Sequence, residues 1–200
     1  VDAGLKELYA TVSDFVWNDK NENGVQDPGE EGIPGITVQV YDAITKVLVA
    51  QQNTNALGMY EFNTLLPGKY YIKVIIPSGW LFTTPNAGNA AKDSDINGSN
   101  GPGTSSTFNL SGGEINSTVD VGLVKCISVS GTVFFDINKN GYIDNGEKGI
   151  NGLDVYLYEA VTNKLVAKVR TSAKPGTASD DGYYQFPCIY AGSYYVLFER

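Results

Sequence analysis

The chain has 200 residues with 42% hydrophobic and 12% aromatic side chains, a net charge of -8 and no histidine. Such an acidic chain is unsuited to binding nucleic acid, because contact with phosphates requires a basic face. The absence of histidine removes the commonest general base and the usual catalytic zinc ligands, so we expect no enzymatic activity.

The first predicted strand covers residues 12–17 and leads into a twelve-residue loop, DKNENGVQDPGE, which begins at Asp19. The loop has the complete calcium-binding pattern of an EF-hand. In that pattern, positions 1, 3, 5, 9 and 12 supply side-chain oxygens, position 7 supplies its backbone carbonyl, and glycine at position 6 allows a sharp turn. The predicted ligands of a Ca²⁺ ion are Asp19, Asn21, Asn23, the Val25 carbonyl, Asp27 and Glu30.

The residues after this loop exclude the exiting helix of an ordinary EF-hand. Residues 32–35 read Gly-Ile-Pro-Gly, which would break a helix, and residues 36–41 alternate between polar and apolar side chains as in a strand. The sequence therefore predicts a calcium loop that connects two strands. The alternative is a solvated turn without a metal ion, because Asp, Asn and Gly also favour ordinary turns.

A weaker metal signal lies further along the chain. Asp93, Asp95 and Asn97 alternate before Gly98, as in the first half of a calcium loop. They form either part of another calcium site, completed by a distant carboxylate, or a polar turn. The surrounding residues 85–106 are polar and rich in glycine, and such a long loop is also a candidate surface for recognising a ligand.

A second complete calcium loop, DINKNGYIDNGE, begins at Asp136, again between two segments with strand-like alternation. Two loops that match at every ligand position make a chance pattern improbable, so we predict Ca²⁺ as the bound ion in both. The predicted ligands are Asp136, Asn138, Asn140, the Tyr142 carbonyl, Asp144 and Glu147.

The two loops belong to a longer internal repeat, the pattern typical of tandem domains. The predicted domains are residues 1–7, the closing strand of a preceding repeat plus a linker; residues 8–124, a complete β-sandwich repeat; and residues 125–200, a second repeat truncated at its C-terminal end. Because Val1 to Leu5 resembles the closing segment Val119 to Leu123, we expect that this strand can add to the open edge of a neighbouring molecule. A frayed terminus is the alternative.

Two cysteines, Cys126 and Cys188, both fall in the second repeat. In a secreted protein they could form a disulfide, which would be worth about 4 kcal/mol in the chain-entropy model. Two buried free thiols are the alternative, because no sequence rule fixes the distance between their Cα atoms.

The order of these motifs resembles the calcium-binding B-type repeats of serine-aspartate-repeat (SdrD B-like) bacterial surface adhesins. The shared pattern is the loop, then Gly-Ile-x-Gly, Gly-x-Tyr-x-Phe and Pro-Gly-x-Tyr, and a closing Val-Asp-x-Gly-Leu. This resemblance implies an all-β fold of tandem immunoglobulin-like or transthyretin-like β-sandwiches with EF-hand-type calcium loops between strands. It places metal ligands in the two loops and, less strongly, in the segment from Asp93 to Asn97.

We therefore expect a calcium-stabilised structural repeat, a stalk or spacer, in a secreted protein at the cell surface or cell wall that takes part in cell adhesion. Its expected partners are neighbouring repeats of the same chain, with no nucleic acid and no membrane insertion of this segment. Two other functions stay open: a module that recognises a host protein or polysaccharide, and a noncatalytic module of a secreted hydrolase.

Overall fold

The computed structural model describes residues 8–177 and 181–199. All regular elements in this part of the chain are β-strands, so the prediction of an all-β fold is confirmed. The predicted closing strand at residues 1–7 lies outside the described residues. The chain divides into two compact units, which we call unit 1 (Val1–Lys125) and unit 2 (Cys126–Arg200). No helix in the described part of the chain is long and apolar enough to cross a membrane.

Unit 1 is a sandwich of two sheets. Its strands are β1 (Ala10–Asn18), β2 (Thr37–Asp42), β3 (Leu48–Asn53), β4 (Met59–Leu65), β5 (Gly68–Ile75), β6 (Trp80–Phe82), β7 (Phe108–Leu110), β8 (Ile115–Asn116) and β9 (Val121–Lys125). One sheet has the order β4-β1-β9-β6, with β8 also paired to β1, and the other has the order β3-β2-β5-β7. Strand β1 is antiparallel to β4 and parallel to β8 and β9.

The alternation of side chains explains why these strands pack as two layers. In β2, Val38 and Val40 are fully buried, whereas Thr37 and Gln39 are only partly buried. The same period of two places Tyr60 and Phe62 of β4 in the core. Burying these apolar side chains between the sheets supplies the main driving force for folding.

Unit 2 repeats part of this arrangement. Its strands are β10 (Ile127–Thr132), β11 (Asp154–Glu159), β12 (Leu165–Arg170), β13 (Tyr183–Ile189) and β14 (Tyr194–Phe198). Strand β10 pairs with β13, and the other sheet has the order β12-β11-β14. A small core from β11 and β13 contains Val155, Leu157, Tyr184, Phe186 and Ile189.

A disulfide joins Cys126 to Cys188 in unit 2, with a distance of 5.0 Å between the Cα atoms. It lies beside the paired residues Ile127 and Ile189, at one end of the β10-β13 pair. Of the two alternatives that the sequence left open, the structure contains the disulfide.

A close approach of two glycines fixes the exit of each calcium-type loop. Gly58 has φ +83°, and a Cβ atom there would lie 2.6 Å from both the Cα of Gly32 and the carbonyl oxygen of Val16. In unit 2, a Cβ atom on Gly182 would lie 2.0 Å from the carbonyl oxygen of Val133. Only glycine allows this contact, which holds the chain just after each loop against β1 or the equivalent segment of unit 2.

Candidate metal sites

The first loop starts directly after β1 and leads towards β2, so it connects the two sheets of unit 1. Its first residue, Asp19, is 1% exposed. The Asp19 Oδ2 atom accepts hydrogen bonds from the Gly24 N–H at 2.7 Å and from the Thr83 hydroxyl at 2.5 Å. Its Oδ1 atom accepts a longer bond of 3.3 Å from the Asn23 N–H. The carboxylate is therefore buried and held in one orientation.

The side chains at positions 3, 5 and 9 of this loop lie together. The Nδ2 atoms of Asn21 and Asn23 both donate to Oδ2 of Asp27, each at 2.8 Å. These two hydrogen bonds hold the pKa of Asp27 below its usual value. The side-chain oxygen of Asn23 also accepts the N–H of Val25 at 2.7 Å. Such hydrogen bonds between side chains and nearby backbone groups stabilise the tight turns of the loop.

The last residue of the pattern, Glu30, folds back over the loop. Its Oε1 accepts the Lys20 N–H at 2.8 Å, and its Oε2 accepts the Asp27 N–H at 3.0 Å. The ammonium group of Lys20 turns to the Gly29 carbonyl and to Glu31. The Lys20 side chain therefore does not pair with the predicted ligand Glu30.

The second loop has the same internal arrangement. Asp136 accepts the N–H groups of Asn140 and Gly141, at 3.1 and 2.8 Å. The Nδ2 atoms of Asn138 and Asn140 both donate to Asp144 Oδ2 at 2.7 Å, which lowers the pKa of Asp144. Glu147 accepts backbone N–H groups at positions 2 and 9 of the loop. Matching hydrogen bonds therefore link residues within each loop.

Among residues 8–177 and 181–199, no group of three or more His, Cys, Asp or Glu side chains is placed to hold a metal ion. The three acidic side chains at the predicted ligand positions of each loop therefore do not form such a group. The other predicted ligands are asparagine amide oxygens and a backbone carbonyl. Carboxylate and carbonyl-type oxygens are the donor set that suits Ca²⁺ rather than zinc or copper. The chemistry of the donor set therefore fits a hard divalent cation.

The family model described as the SdrD B-like domain matches residues 10–123 and again residues 127–200. The chain belongs to this family. The prediction of an SdrD B-like chain is thus confirmed.

Relatives of this SdrD B-like chain include two staphylococcal proteins. It is 33% identical over 202 residues to serine-aspartate repeat-containing protein F of Staphylococcus epidermidis (strain ATCC 12228 / FDA PCI 1200). It is 36% identical over 203 residues to serine-aspartate repeat-containing protein D of Staphylococcus aureus (strain Newman). Each match covers 100% of this chain but only 11% and 14% of the relative, respectively.

Similar solved structures include the Streptococcal ancillary pilin, with a TM-score of 0.45 and 12% identity over 96% of this chain and 54% of the pilin. The Bacillus anthracis TIE protein has a TM-score of 0.41 and 18% identity over 96% of this chain and 29% of that protein.

The weaker metal segment of the SdrD B-like chain has side chains that face different groups. Asp93 Oδ2 accepts the Gly88 N–H at 3.0 Å, whereas Asp95 Oδ2 accepts the Asp120 N–H at 2.9 Å. The side chain of Asn97 donates to the Ser106 hydroxyl at 2.7 Å. The three residues therefore do not form a shared cluster in this structure.

A group of buried and half-buried acids in unit 1 was not found by sequence reasoning. Asp14 accepts the Val119 N–H at 2.8 Å and lies within hydrogen-bonding reach of the Asp120 side chain. Asp120 is 1% exposed, and its Oδ2 atom receives no N–H or O–H donor from the described residues. Contact between the two carboxyl groups then requires a shared proton or a cation. Sequence spacing could not reveal this pair, because β1 and the start of β9 are over a hundred residues apart.

Burial raises the pKa of the acids in this group. It is the largest cause for each of Asp14, Asp95 and Asp120. For Asp95 and Asp120, repulsion from the neighbouring carboxylates raises the pKa further. The pKa of Asp95 rises to about 7, and that of Asp120 is raised further. No Lys or Arg side chain forms an ion pair with these acids among the described residues.

These shifts predict that, in the presence of a chelator, unit 1 loses stability as the pH rises from 5 to 8. The folded state retains protons that the unfolded state has already released near its ordinary pKa of 3.8. The stability that these retained protons contribute is therefore fully present below pH 3.8. It declines as the pH rises through the pKa values that Asp95 and Asp120 have in the folded state. The slope is at most about 1.4 kcal/mol per pH unit for each retained proton. Urea unfolding in EDTA, followed by the fluorescence of Trp17 and Trp80, which both lie in unit 1, measures it.

Asp120→Asn should flatten this pH dependence, because the amide keeps the shape of the side chain and carries no charge. Asp154→Asn is the control, since Asp154 lies in unit 2 and its pKa is lowered by its contact with Lys168. A stability of unit 1 that stays constant or rises between pH 5 and 8 would contradict the prediction.

Proposed function

We propose that this chain is a calcium-stabilised structural segment, a stalk or spacer, of a secreted cell-surface protein. The observation that carries the proposal is the matching geometry of the two loops, in which the side chains at five positions of the pattern make the same hydrogen bonds within the loop. Membership of the SdrD B-like family and the serine-aspartate repeat-containing relatives support a structural role at the cell surface or cell wall. No catalytic role is proposed.

The residues that would hold a calcium ion in unit 1 are Asp19, Asn21, Asn23, Asp27, Glu30 and the carbonyl of Val25. Bound calcium would supply positive charge to the three carboxylates among these ligands. The loop joins β1 of one sheet to β2 of the other, so fixing the loop also fixes the connection between the two layers. In unit 2 the corresponding loop joins β10 and β11 in the same way.

The disulfide supports a location outside the cell. Structural disulfides persist in oxidising compartments and are rare in the cytosol. The bond between Cys126 and Cys188 is therefore consistent with a secreted segment. Neighbouring domains of the same longer protein are the proposed partners, because each relative is several times longer than this chain.

The structure favours the stalk role over ligand recognition by residues 85–106. Backbone hydrogen bonds tie this segment to unit 1 at several points: the N–H of Asp95 donates to the Asp120 carbonyl, and the N–H of Ser105 donates to the Ile72 carbonyl, both at 2.9 Å. A segment held in this way serves as part of the sandwich, and we do not propose a host ligand for it.

Counting bound ions tests the proposal. Native mass spectrometry at low calcium should show that Glu30→Gln and Glu147→Gln each hold one Ca²⁺ ion fewer than the unsubstituted chain, because glutamine cannot supply the bidentate carboxylate of position 12. The matched control is Glu31→Gln, which removes the same charge one residue outside the pattern. Equal ion counts in all four proteins would refute calcium binding by the loops.

A further inference from the structure

Asn-Gly pairs are chemically labile points of a protein chain. The backbone nitrogen that follows an asparagine can attack its side-chain amide, and glycine favours this attack because it has no Cβ atom to obstruct the approach. The attack needs a glycine N–H that is free to turn towards the side chain, so the hydrogen bonds at each pair decide which of them can react. The sequence contains six such pairs, whose asparagines are Asn23, Asn97, Asn100, Asn140, Asn145 and Asn151.

Five of the six pairs are held by hydrogen bonds at both reacting groups. Each glycine N–H in these pairs donates to an aspartate of a calcium loop or to a backbone carbonyl, at 2.7 to 3.0 Å. The asparagine side chains of the same pairs also form hydrogen bonds. The amide and the nitrogen that would attack it are therefore both restrained. The five glycines are Gly24, Gly98, Gly101, Gly141 and Gly152.

The pair Asn145-Gly146 in the second loop differs from the other five. Both residues are exposed, and within the part of the chain that the structure describes neither the Asn145 side chain nor the Gly146 N–H has a hydrogen-bond partner. A Cβ atom on Gly146 would meet nothing within 4 Å. The pair forms the corner of a turn in which the Glu147 N–H donates to the Asp144 carbonyl at 3.1 Å. Asn145 is therefore the asparagine whose side chain is least restrained from reacting with the next backbone nitrogen.

The exposure of this corner is a property of the turn itself. The first loop has the same turn, with Pro28-Gly29 at its corner and a closing N–H to carbonyl hydrogen bond that is also 3.1 Å long. Gly29 has φ +94° and Gly146 has φ +95°. Pro28 and Gly29 are exposed although the segment 83–94, which follows β6, is hydrogen-bonded to that loop. The two corners therefore differ in their chemistry, because proline has no side-chain amide.

We propose that Asn145 is a site of spontaneous deamidation within the calcium-type loop of unit 2. The Gly146 nitrogen forms a bond to the Asn145 Cγ atom, the bond from Cγ to the side-chain nitrogen breaks, and that nitrogen leaves as ammonia with the glycine proton. Water then opens the cyclic imide. Opening at Cγ gives aspartate. Opening at the main-chain carbonyl gives isoaspartate, in which the backbone runs through the former side chain.

The consequence for the loop rests on the proposed function, because it assumes calcium ligands at positions 9 and 12. Asn145 lies between Asp144 and Glu147, which hold these positions. Isoaspartate adds a methylene group to the backbone between them, so the carboxylate of position 12 no longer meets the ion from the same turn. Calcium that is bound to both flanking residues should restrain the turn and slow the reaction. Unit 1 keeps its loop, because Pro28 occupies the equivalent corner.

Incubating the full chain in EDTA at mildly alkaline pH tests the site, with tandem mass spectrometry of its peptides to locate each modified residue. Asn145 should deamidate before the asparagines of the other five pairs, and an isoaspartyl methyltransferase should label the aged chain. Calcium should slow the reaction. Asn145→Pro copies the corner of the first loop, where proline suits the turn, and should abolish the early labelling. Asn145→Gln is a second variant, because the longer side chain cyclises far more slowly.

Native mass spectrometry of the aged chains tests the effect on the loop. Chains with isoaspartate at position 145 should hold one Ca²⁺ ion fewer than fresh chains, and aged Asn145→Pro and Asn145→Gln chains should lose none. Equal deamidation of all six pairs in EDTA, or an intact Asn145, would overturn the site. An unchanged ion count in the isoaspartate fraction would overturn the effect on the loop. Failure of the proposed function would look different, since fresh chains would then bind no calcium while Asn145 still deamidated in EDTA.

Discussion

Replacing both cysteines by serine should lower the free energy of unfolding of unit 2 by about 4 kcal/mol. The disulfide links residues 62 positions apart, and closing so long a loop removes much of the conformational entropy of the unfolded chain. This contribution is large relative to the total stability of unit 2, because few side chains of its core are fully buried. The single disulfide is therefore expected to contribute a substantial share of the stability of unit 2.

The two units can be followed separately in this experiment. Both tryptophans of the chain, Trp17 and Trp80, lie in unit 1, so tryptophan fluorescence reports the unfolding of unit 1 alone. Differential scanning calorimetry reports both transitions. In the Cys126→Ser/Cys188→Ser chain, and in the unsubstituted chain with a reductant, the transition of unit 2 should move to lower temperature. A transition of unit 2 that stays in place, or an equal shift of unit 1, would show that the disulfide does not stabilise unit 2.

The local features of this protein could be predicted from its sequence. The two loops depend on residues within a stretch of twelve, and their flanking strands depend on a period of two, so short-range patterns were sufficient. The structure shows the same hydrogen bonds within both loops. The ions themselves remain a prediction.

The features that were missed depend on contacts between distant parts of the chain. Thr83 donates a hydrogen bond to Asp19, which is 64 positions away in the sequence, and Asp14 accepts one from the Val119 N–H, which is 105 positions away. Nothing near Thr83 marks it as a partner of a loop residue, because β6 comes to lie near the loop only through its pairing with β9. The disulfide was left open for the same reason, since its Cα distance is set by the pairing of β10 with β13.

Calcium removal is the second change for which we expect a large effect. A ligand that binds only the native state stabilises it by RT ln(1 + [L]/Kd). For a loop with a dissociation constant of about 10 micromolar, calcium at about 1 millimolar adds about 2.7 kcal/mol to the stability of its unit. EDTA should therefore lower the melting temperature of each unit.

The two glutamine variants show which loop is responsible for the calcium-induced rise in melting temperature of each unit. In Glu30→Gln the calcium-induced rise in melting temperature should disappear for unit 1 and persist for unit 2, and in Glu147→Gln the reverse should hold. Glu31→Gln should behave like the unsubstituted chain. Magnesium at the same concentration is a further control, because it prefers a stricter octahedral geometry and keeps its waters.

The most direct measurement is the melting temperature of each unit in millimolar calcium and in excess EDTA, recorded by calorimetry together with tryptophan fluorescence. If calcium in the two loops holds the sheets of each unit together, both transitions occur at higher temperature in calcium. The difference is lost for one unit when its position-12 glutamate is replaced by glutamine. Identical melting temperatures in calcium and in EDTA would contradict calcium stabilisation of this chain.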